Sequence, residues 1–287
     1  MLSALLGLLG SFIYGASDFF GGLAATSIRA EKVTAINSVA GTALLLVTSL
    51  FLGASYSPGA LLWGTAAGVL GALALALLYG CLAIGPMSIL APIMALVSAV
   101  VPITIAFVSG ERLSPIGYVG MVVGLLAVVL ICFVPGAGAV RPTGRGILMA
   151  IGAGVLVGLY LYFIDLSPAD SGVAPLIVVF FVAGVITWLA VLVRRVATGP
   201  APMPAATVWW KSPYALSAYS GVTDAAASVF FLLALRLGDL SVVSVLNALS
   251  PAGTIVLAAL VVKERVAIVQ WVGLAVALVA AALLALA

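Results

Sequence analysis

Two carboxylates lie where an apolar chain has least reason to keep them. Asp224 falls near the centre of the stretch SGVTDAAASVF, and Asp18 lies within YGASDFF, each inside a run of apolar residues. An ionisable side chain in a membrane span is costly, so it is a functional candidate by default. Both sit on stripes of small and polar residues. Ser217, Gly221, Asp224 and Ser228 recur at intervals of three and four, as do Ser3, Gly7, Gly10, Tyr14, Asp18 and Gly21. Lipid cannot satisfy such stripes, so they must face protein or a water-filled cavity. The chemistry this pattern suits is binding of a proton, a cation or a substrate amine. The competing reading is a structural aspartate hydrogen-bonded to neighbouring helices.

Prolines supply a second set of candidates. A helical proline removes one donor and frees the carbonyl four residues earlier. Pro92, Pro102 and Pro251 would free the carbonyls of Ser88, Ser98 and Asn247, three positions that carry polar side chains. Exposed carbonyls beside a hydroxyl or amide suit substrate binding in broken helices; each proline alone also fits a simple kink with serine bonded back to its own helix. Asn247 is the leading candidate because Ser241, Ser244, Asn247, Pro251 and Thr254 share one stripe. Tyr79, Tyr160 and Tyr162 fall toward the inner parts of their segments and could stack on a substrate or simply fill space. Trp63, Trp209, Trp210 and Trp271 lie near segment ends and read as interfacial anchors.

The elements that position these residues follow from composition. The 287 residues are 65% hydrophobic and 7% charged, with mean hydropathy +1.40, whereas a soluble domain carries about a quarter charged residues. The chain is an all-α integral membrane protein, since its apolar runs are too long and too uniform for the strands of a barrel. Ten spans are expected, at about 2–25, 33–53, 60–80, 86–109, 115–134, 146–165, 173–194, 213–235, 239–262 and 266–286. The stretch MLSALLGLLG enters the first span without the basic segment of a cleavable signal, so it is expected to remain. The Pro-rich stretch between Val196 and Pro213 is a linker. Cys81 and Cys132 read as small buried hydrophobes, with no disulfide expected.

The chain repeats itself. A 153-residue offset pairs Gly85 with Gly238, Ser88 with Ser241, Glu111 with Glu264, Arg112 with Arg265 and Gly120 with Gly273, without a gap. A 143-residue offset pairs Gly15 with Gly158 and Gly41 with Gly184. Two five-helix units result, 1–134 and 146–287, joined by 135–145. Five is odd, so the second unit must enter the membrane upside down, giving ten transmembrane helices as two inverted five-helix repeats. Loops after odd-numbered spans hold Arg29, Lys32, Arg141, Arg145, Arg194, Arg195, Lys211, Lys263 and Arg265; those after even-numbered spans hold Arg112 and Arg236. The positive-inside rule then places the odd loops in the cytoplasm and both termini outside it.

The duplicated Glu111–Arg112 and Glu264–Arg265 pairs stand at span ends, where arginine meets headgroups and glutamate caps a helix or pairs locally; together with Pro92, Pro102 and Pro251 they are assigned structural or hinge roles. The run GAGVLVG, Gly152 to Gly158, lies inside a span and suits helix packing rather than nucleotide binding. The chain has no histidine, no paired-cysteine spacing, no phosphate-binding loop with its lysine and no basic stripe. No cofactor, metal, nucleic-acid partner or ATP-driven chemistry is expected, and no enzymatic constellation is present.

Ten spans, the duplication, and the stretches AIGPMSILAPIMALVSAVVPITIAFVSGERLSP and RLGDLSVVSVLNALSPAGTIVLAALVVKERVAI resemble the EamA-type branch of the drug/metabolite transporter superfamily. YGASDFFGGLAA is similar to bacterial permeases of the same group. The resemblance covers the whole chain and implies transport of small metabolites, often export, amino acids among them. The second copy departs from the first in carrying Val245 opposite Pro92 and Asn247 opposite Met94, so the halves need not contribute equally. The expectation is a secondary transporter in the cell inner membrane, working by alternating access with proton coupling, and exporting amino acids or related compounds. The alternatives are an exporter of lipophilic cations, and a non-transporting membrane protein serving as a structural partner or sensor.

Overall fold

Four helices begin where a hydroxyl residue precedes proline or glycine. Ser57, Ser114, Thr143 and Ser212 accept hydrogen bonds from the amides of Ala60, Gly117, Gly146 and Ala215 at 3.1 to 3.2 Å. Each satisfies one of the donors a helix start leaves unpaired, while proline at the first helical position gives up nothing. A computed structural model of the chain describes residues 1–84, 87–133, 143–198, 212–263 and 266–286. Its helices are α1 (Leu2–Ala25), α2 (Ala30–Leu52), α3 (Pro58–Ile84), α4 (Met87–Val108), α5 (Pro115–Cys132), α6 (Gly144–Asp165), α7 (Ala174–Thr198), α8 (Pro213–Leu237), α9 (Leu240–Ala248), α10 (Pro251–Leu257) and α11 (Ile268–Ala285).

Among the described residues, nine helical stretches are long and apolar enough to cross a membrane, α9 through the π-helical turn Ala258–Val262 counting as one. The helix α4 completes ten spans. The ninth span differs from a single kinked helix. At Leu249 and Ser250 the backbone tightens: the amides of Ser250, Ala252 and Gly253 donate three residues back, to Asn247, Leu249 and Ser250, at 2.9 to 3.1 Å. Pro251, which has no amide hydrogen, opens α10 immediately after this turn.

Packing repeats the sequence duplication. The helix α1 lies along α8 and α3 along α6; α2 lies along α8 and α3 along α7; α4 packs on α6, and α1 packs on α9 and α10. Exchanging the first five spans for the last five turns each member of these pairs of contacts into the other. The pairings α2 with α7, α4 with α9, and α5 with α11 map onto themselves. That is the signature of an in-plane two-fold relation between inverted repeats. Glycines set the close approaches: a methyl group at Gly158 would stand 2.9 Å from Val101 and Pro102, and one at Gly15 would stand 2.7 Å from the Gly253 backbone. Two apolar clusters fill the halves of the bundle, one centred on Leu176, Leu232 and Val243, the other on Val128, Val245 and Leu246.

One end of the bundle gathers the loops that follow even-numbered spans. Residues Gly53 to Ser55 pair with Ser171 to Val173 through a short antiparallel bridge and bonds of 3.0 and 3.1 Å. Arg236, near the end of α8, donates to the carbonyls of Pro168 and Gly172 at 3.3 and 2.8 Å. Ser3 at the start of α1 donates to the carbonyl of Ala234 at 2.8 Å.

Candidate functional site

Helix α1 crosses α8 with a polar seam. The Ser17 hydroxyl lies 3.0 Å from the Ser220 carbonyl and 3.1 Å from its hydroxyl, and the Asn37 amide of α2 donates to that hydroxyl at 3.0 Å. One turn further along α8, Asp224 hydrogen-bonds with the Asn37 side chain, and Asp18 is near enough for the two carboxylates to act on each other electrostatically. Tyr160 of α6 joins the group: its hydroxyl bonds with Ser228, and the ring lies within the field of Asp224. Two spans of the first repeat, α1 and α2, and two of the second, α6 and α8, therefore meet around one pair of charges.

Asp18 is exposed although its neighbours Ser17 and Phe19 are buried. Its position lies roughly 140° around the helix from Leu5, at 3.6 residues per turn, and Leu5, Leu9 and Phe12 form the outward apolar face. Asp18 therefore lies on the side of α1 away from that apolar face. Asp224, Asn37 and Tyr160 are half-buried around it. Tyr14 and Phe231 meet edge to face at 6.2 Å, and Phe20 and Tyr219 at 5.9 Å, so aromatic rings stand on both sides of the seam. This arrangement can hold a cationic group by charge while presenting an amide and hydroxyls for further hydrogen bonds.

The other sequence candidates are distributed differently. Asn247 is half-buried in the last turn of α9. Its carbonyl accepts the Ser250 amide at 3.1 Å, so the expectation that Pro251 leaves it free for substrate is corrected: the helix breaks, and the tight turn supplies a new donor. Ser98 and Ser244 are buried, and their hydroxyls donate to Ala95 at 2.8 Å and Leu240 at 2.6 Å within their own helices. Each hydroxyl proton is thus committed within its own helix, which leaves the oxygen as an acceptor. Pro102 is fully buried and, with the Ser98 carbonyl 3.2 Å from a Cβ position on Gly158, forms the close contact of α4 with α6. Tyr162 is half-buried against Phe163, whose ring also meets Trp63 at 5.3 Å. Glu111 reaches across to Ser241, and Arg112 is exposed, its guanidinium 3.4 Å from the Glu111 carbonyl. Glu264 and Arg265 lie outside the described residues, as do the side chains of Tyr79, Ser88 and Pro92.

Asn37 is the site residue the sequence reading passed over. Thr34, Asn37, Ser38 and Gly41 recur at three- and four-residue spacing in the second span, the same stripe rule that picked out Asp18 and Asp224. An apolar groove of about 700 Å³ between α2 and α7, lined by Thr42, Phe180, Phe181 and Trp188 among others, is separate from this seam.

Comparison with known proteins bears on the whole chain. The EamA-like transporter family matches residues 1–133 and again residues 144–286. A solved structure described only as a crystal structure of a protein aligns with 99% of this chain and 96% of its own at TM-score 0.74 and 17% identity, a likeness of fold. It is one of 29 solved chains that match. No curated protein matches. With both repeats matched across nearly its full length, the chain belongs to the EamA-like transporter family, a family of membrane transporters of the drug/metabolite type.

Proposed function

We propose that the protein is a secondary active transporter that exports amino acids or related small polar metabolites by alternating access. The observation that carries this reading is the Asp18–Asp224 pair, contributed by α1 and α8 beside the polar seam of Ser17, Ser220 and Asn37. A substrate ammonium group fits between two carboxylates, and Asn37 and Tyr160 offer an amide and a hydroxyl beside them. One carboxylate can exchange a proton while the other holds the amine, which would couple export to proton entry. Asn247 on α9 is a further contact for the polar end of the substrate. In this reading the units 1–134 and 146–287 rock against each other about the seam, in the inner membrane, with both termini outside the cytoplasm.

The rings of Tyr14, Phe20, Tyr219 and Phe231 around the seam support a second reading, export of lipophilic cations, because aromatic faces attract cations as carboxylates do. The two readings separate in one experiment. Purified protein in liposomes loaded with a mixed panel of amino acids, amines and lipophilic cations is followed by mass spectrometry against protein-free liposomes. Selective loss of amino acids supports the first reading. Selective loss of lipophilic cations replaces it with the second, and loss of nothing by folded protein under an imposed proton gradient would count against transport of either class.

A further inference from the structure

The cap of α9 comes from the other repeat. Ser241 is the second residue of α9, so its amide is one of the donors a helix start leaves without an internal acceptor. Asp239, at the position before the helix, makes no side-chain cap. The carboxylate that fills the role is Glu111, from the loop after α4: its Oε1 accepts the Ser241 amide at 3.2 Å and also the Ser241 hydroxyl. Hydrogen bonds to an ionised acceptor are the strong kind, and the positive end of the helix dipole adds to them. Ser241 is 1% exposed, so water does not compete for these donors.

This cross-repeat bond stands at the end of the bundle where other cross-repeat links gather. There the α2–α3 loop pairs with the α6–α7 loop, and Ser3 of α1 bonds to Ala234 of α8. Asp165, at the end of α6, stands near enough to Glu111 for like-charge repulsion, which opposes the bond without breaking it. The sequence repeats both residue types at one offset, since Ser88 and Glu264 lie 153 positions from Ser241 and Glu111.

We propose that Glu111 is a positioning residue of the transport cycle: by capping α9 it holds the broken ninth span in place and keeps the mouth at the even-loop end closed, and it must release Ser241 when that mouth opens. The proposal rests on the alternating-access reading and adds to it the bond that separates its two states. A residue that only stabilised the fold would lower stability without favouring one side of the membrane. A latch changes sidedness.

The test uses the full chain with Cys81 and Cys132 replaced by alanine and a reporter introduced by Ser244→Cys, one turn behind Ser241 on the same stripe. In proteoliposomes of defined orientation, a membrane-impermeant maleimide is added from either side. Glu111→Ala should raise modification from the even-loop side about tenfold, the shift expected from loss of a charge-assisted hydrogen bond, and lower it from the opposite side. Glu111→Gln, which keeps an acceptor oxygen, should change it much less. Unchanged rates in Glu111→Ala, or an equal rise from both sides, would overturn the proposal. A second arm pairs Glu111→Cys with Ser241→Cys. Disulfide formation should stop both reporter modification from the even-loop side and any metabolite release, with reductant restoring both. Continued even-loop access in the cross-linked protein would also overturn it. A sided change in labelling without release of any panel compound would instead count against the transport reading and leave the latch standing.

Discussion

The crossing of α1 with α8 and the crossing of α3 with α6 occupy equivalent places in the two-fold arrangement, yet the paired carboxylates lie at only one of them. The 153-residue offset sets Gly71 opposite Asp224, and the 143-residue offset sets Leu161 opposite Asp18 and Tyr160 opposite Ser17. At the first crossing Ser17, Ser220, Asn37 and Asp224 form a bonded seam. At the second, Trp63 and Phe163 pack ring to ring and Tyr160 lies near Gly71. The backbone scaffold is duplicated and the polar seam is not. A two-fold scaffold needs equivalent surfaces to exchange conformations, and that requirement falls on helix packing. In the alternating-access reading, a binding site near the axis would need only one set of polar groups, because both conformations could use it.

The largest expected effect follows from that asymmetry. Asp224→Asn keeps the size and the hydrogen bond with Asn37 but removes the charge that faces Asp18. Losing a charge-assisted contact to a substrate amine should reduce transport of the panel compound about 10- to 100-fold. Tyr160→Phe removes one neutral hydroxyl bond and should reduce it only several-fold. Initial rates of release, measured for both variants at equal protein content, check the ordering. If Tyr160→Phe proved the more damaging, the Asp224 charge would not be the dominant contact of the site.

Packing should respond on both sides of the symmetry rather than on one. A methyl group at Gly15 would stand 2.6 Å from the Thr254 amide nitrogen and 2.7 Å from the Gly253 Cα, and both are backbone atoms that cannot swing aside. At Gly158 the obstacles are Pro102 and Val101, each at 2.9 Å. Gly15→Ala and Gly158→Ala should each destabilise the protein by about 1–3 kcal/mol through overpacking, read as a fall in melting temperature in detergent. A large loss at one glycine and none at the other would break the equivalence of the α1–α10 and α4–α6 contacts as packing elements.

How far these features were legible beforehand depends on the kind of signal each leaves. The ten spans and the duplication were readable because hydropathy survives any detail of packing, and because matched glycine, serine, glutamate and arginine are rare coincidences in so apolar a chain. Asp18 and Asp224 stood out for the same reason, as charges where charge is costly. Asn37 carried the same three- and four-residue stripe but no charge, and was passed over. The break at Leu249 and Ser250 was not legible, since Pro251 is equally compatible with a kinked helix and with the start of a new one. Nor could periodicity find the destination of Glu111: its partner is 130 positions away in the chain, on a helix of the other repeat.

The smallest expected effect is also the sharpest test of the comparison. Gly71 holds the place that Asp224 holds in the other crossing, but among the described residues a methyl group there would meet only the Tyr160 ring, at 3.8 Å, an ordinary van der Waals contact. Gly71→Ala gains helix propensity and meets no backbone, so its stability should stay within about 1 kcal/mol of the parent, with any change toward greater stability. Transport should be unchanged, because the added methyl neither carries charge nor displaces the hydroxyl of Tyr160 from Ser228. Melting temperature and release rate together decide it. A substantial loss of transport at unchanged stability would mean that substrate passes against α3 at this level, and that the α3–α6 crossing is part of the path rather than a packed counterpart.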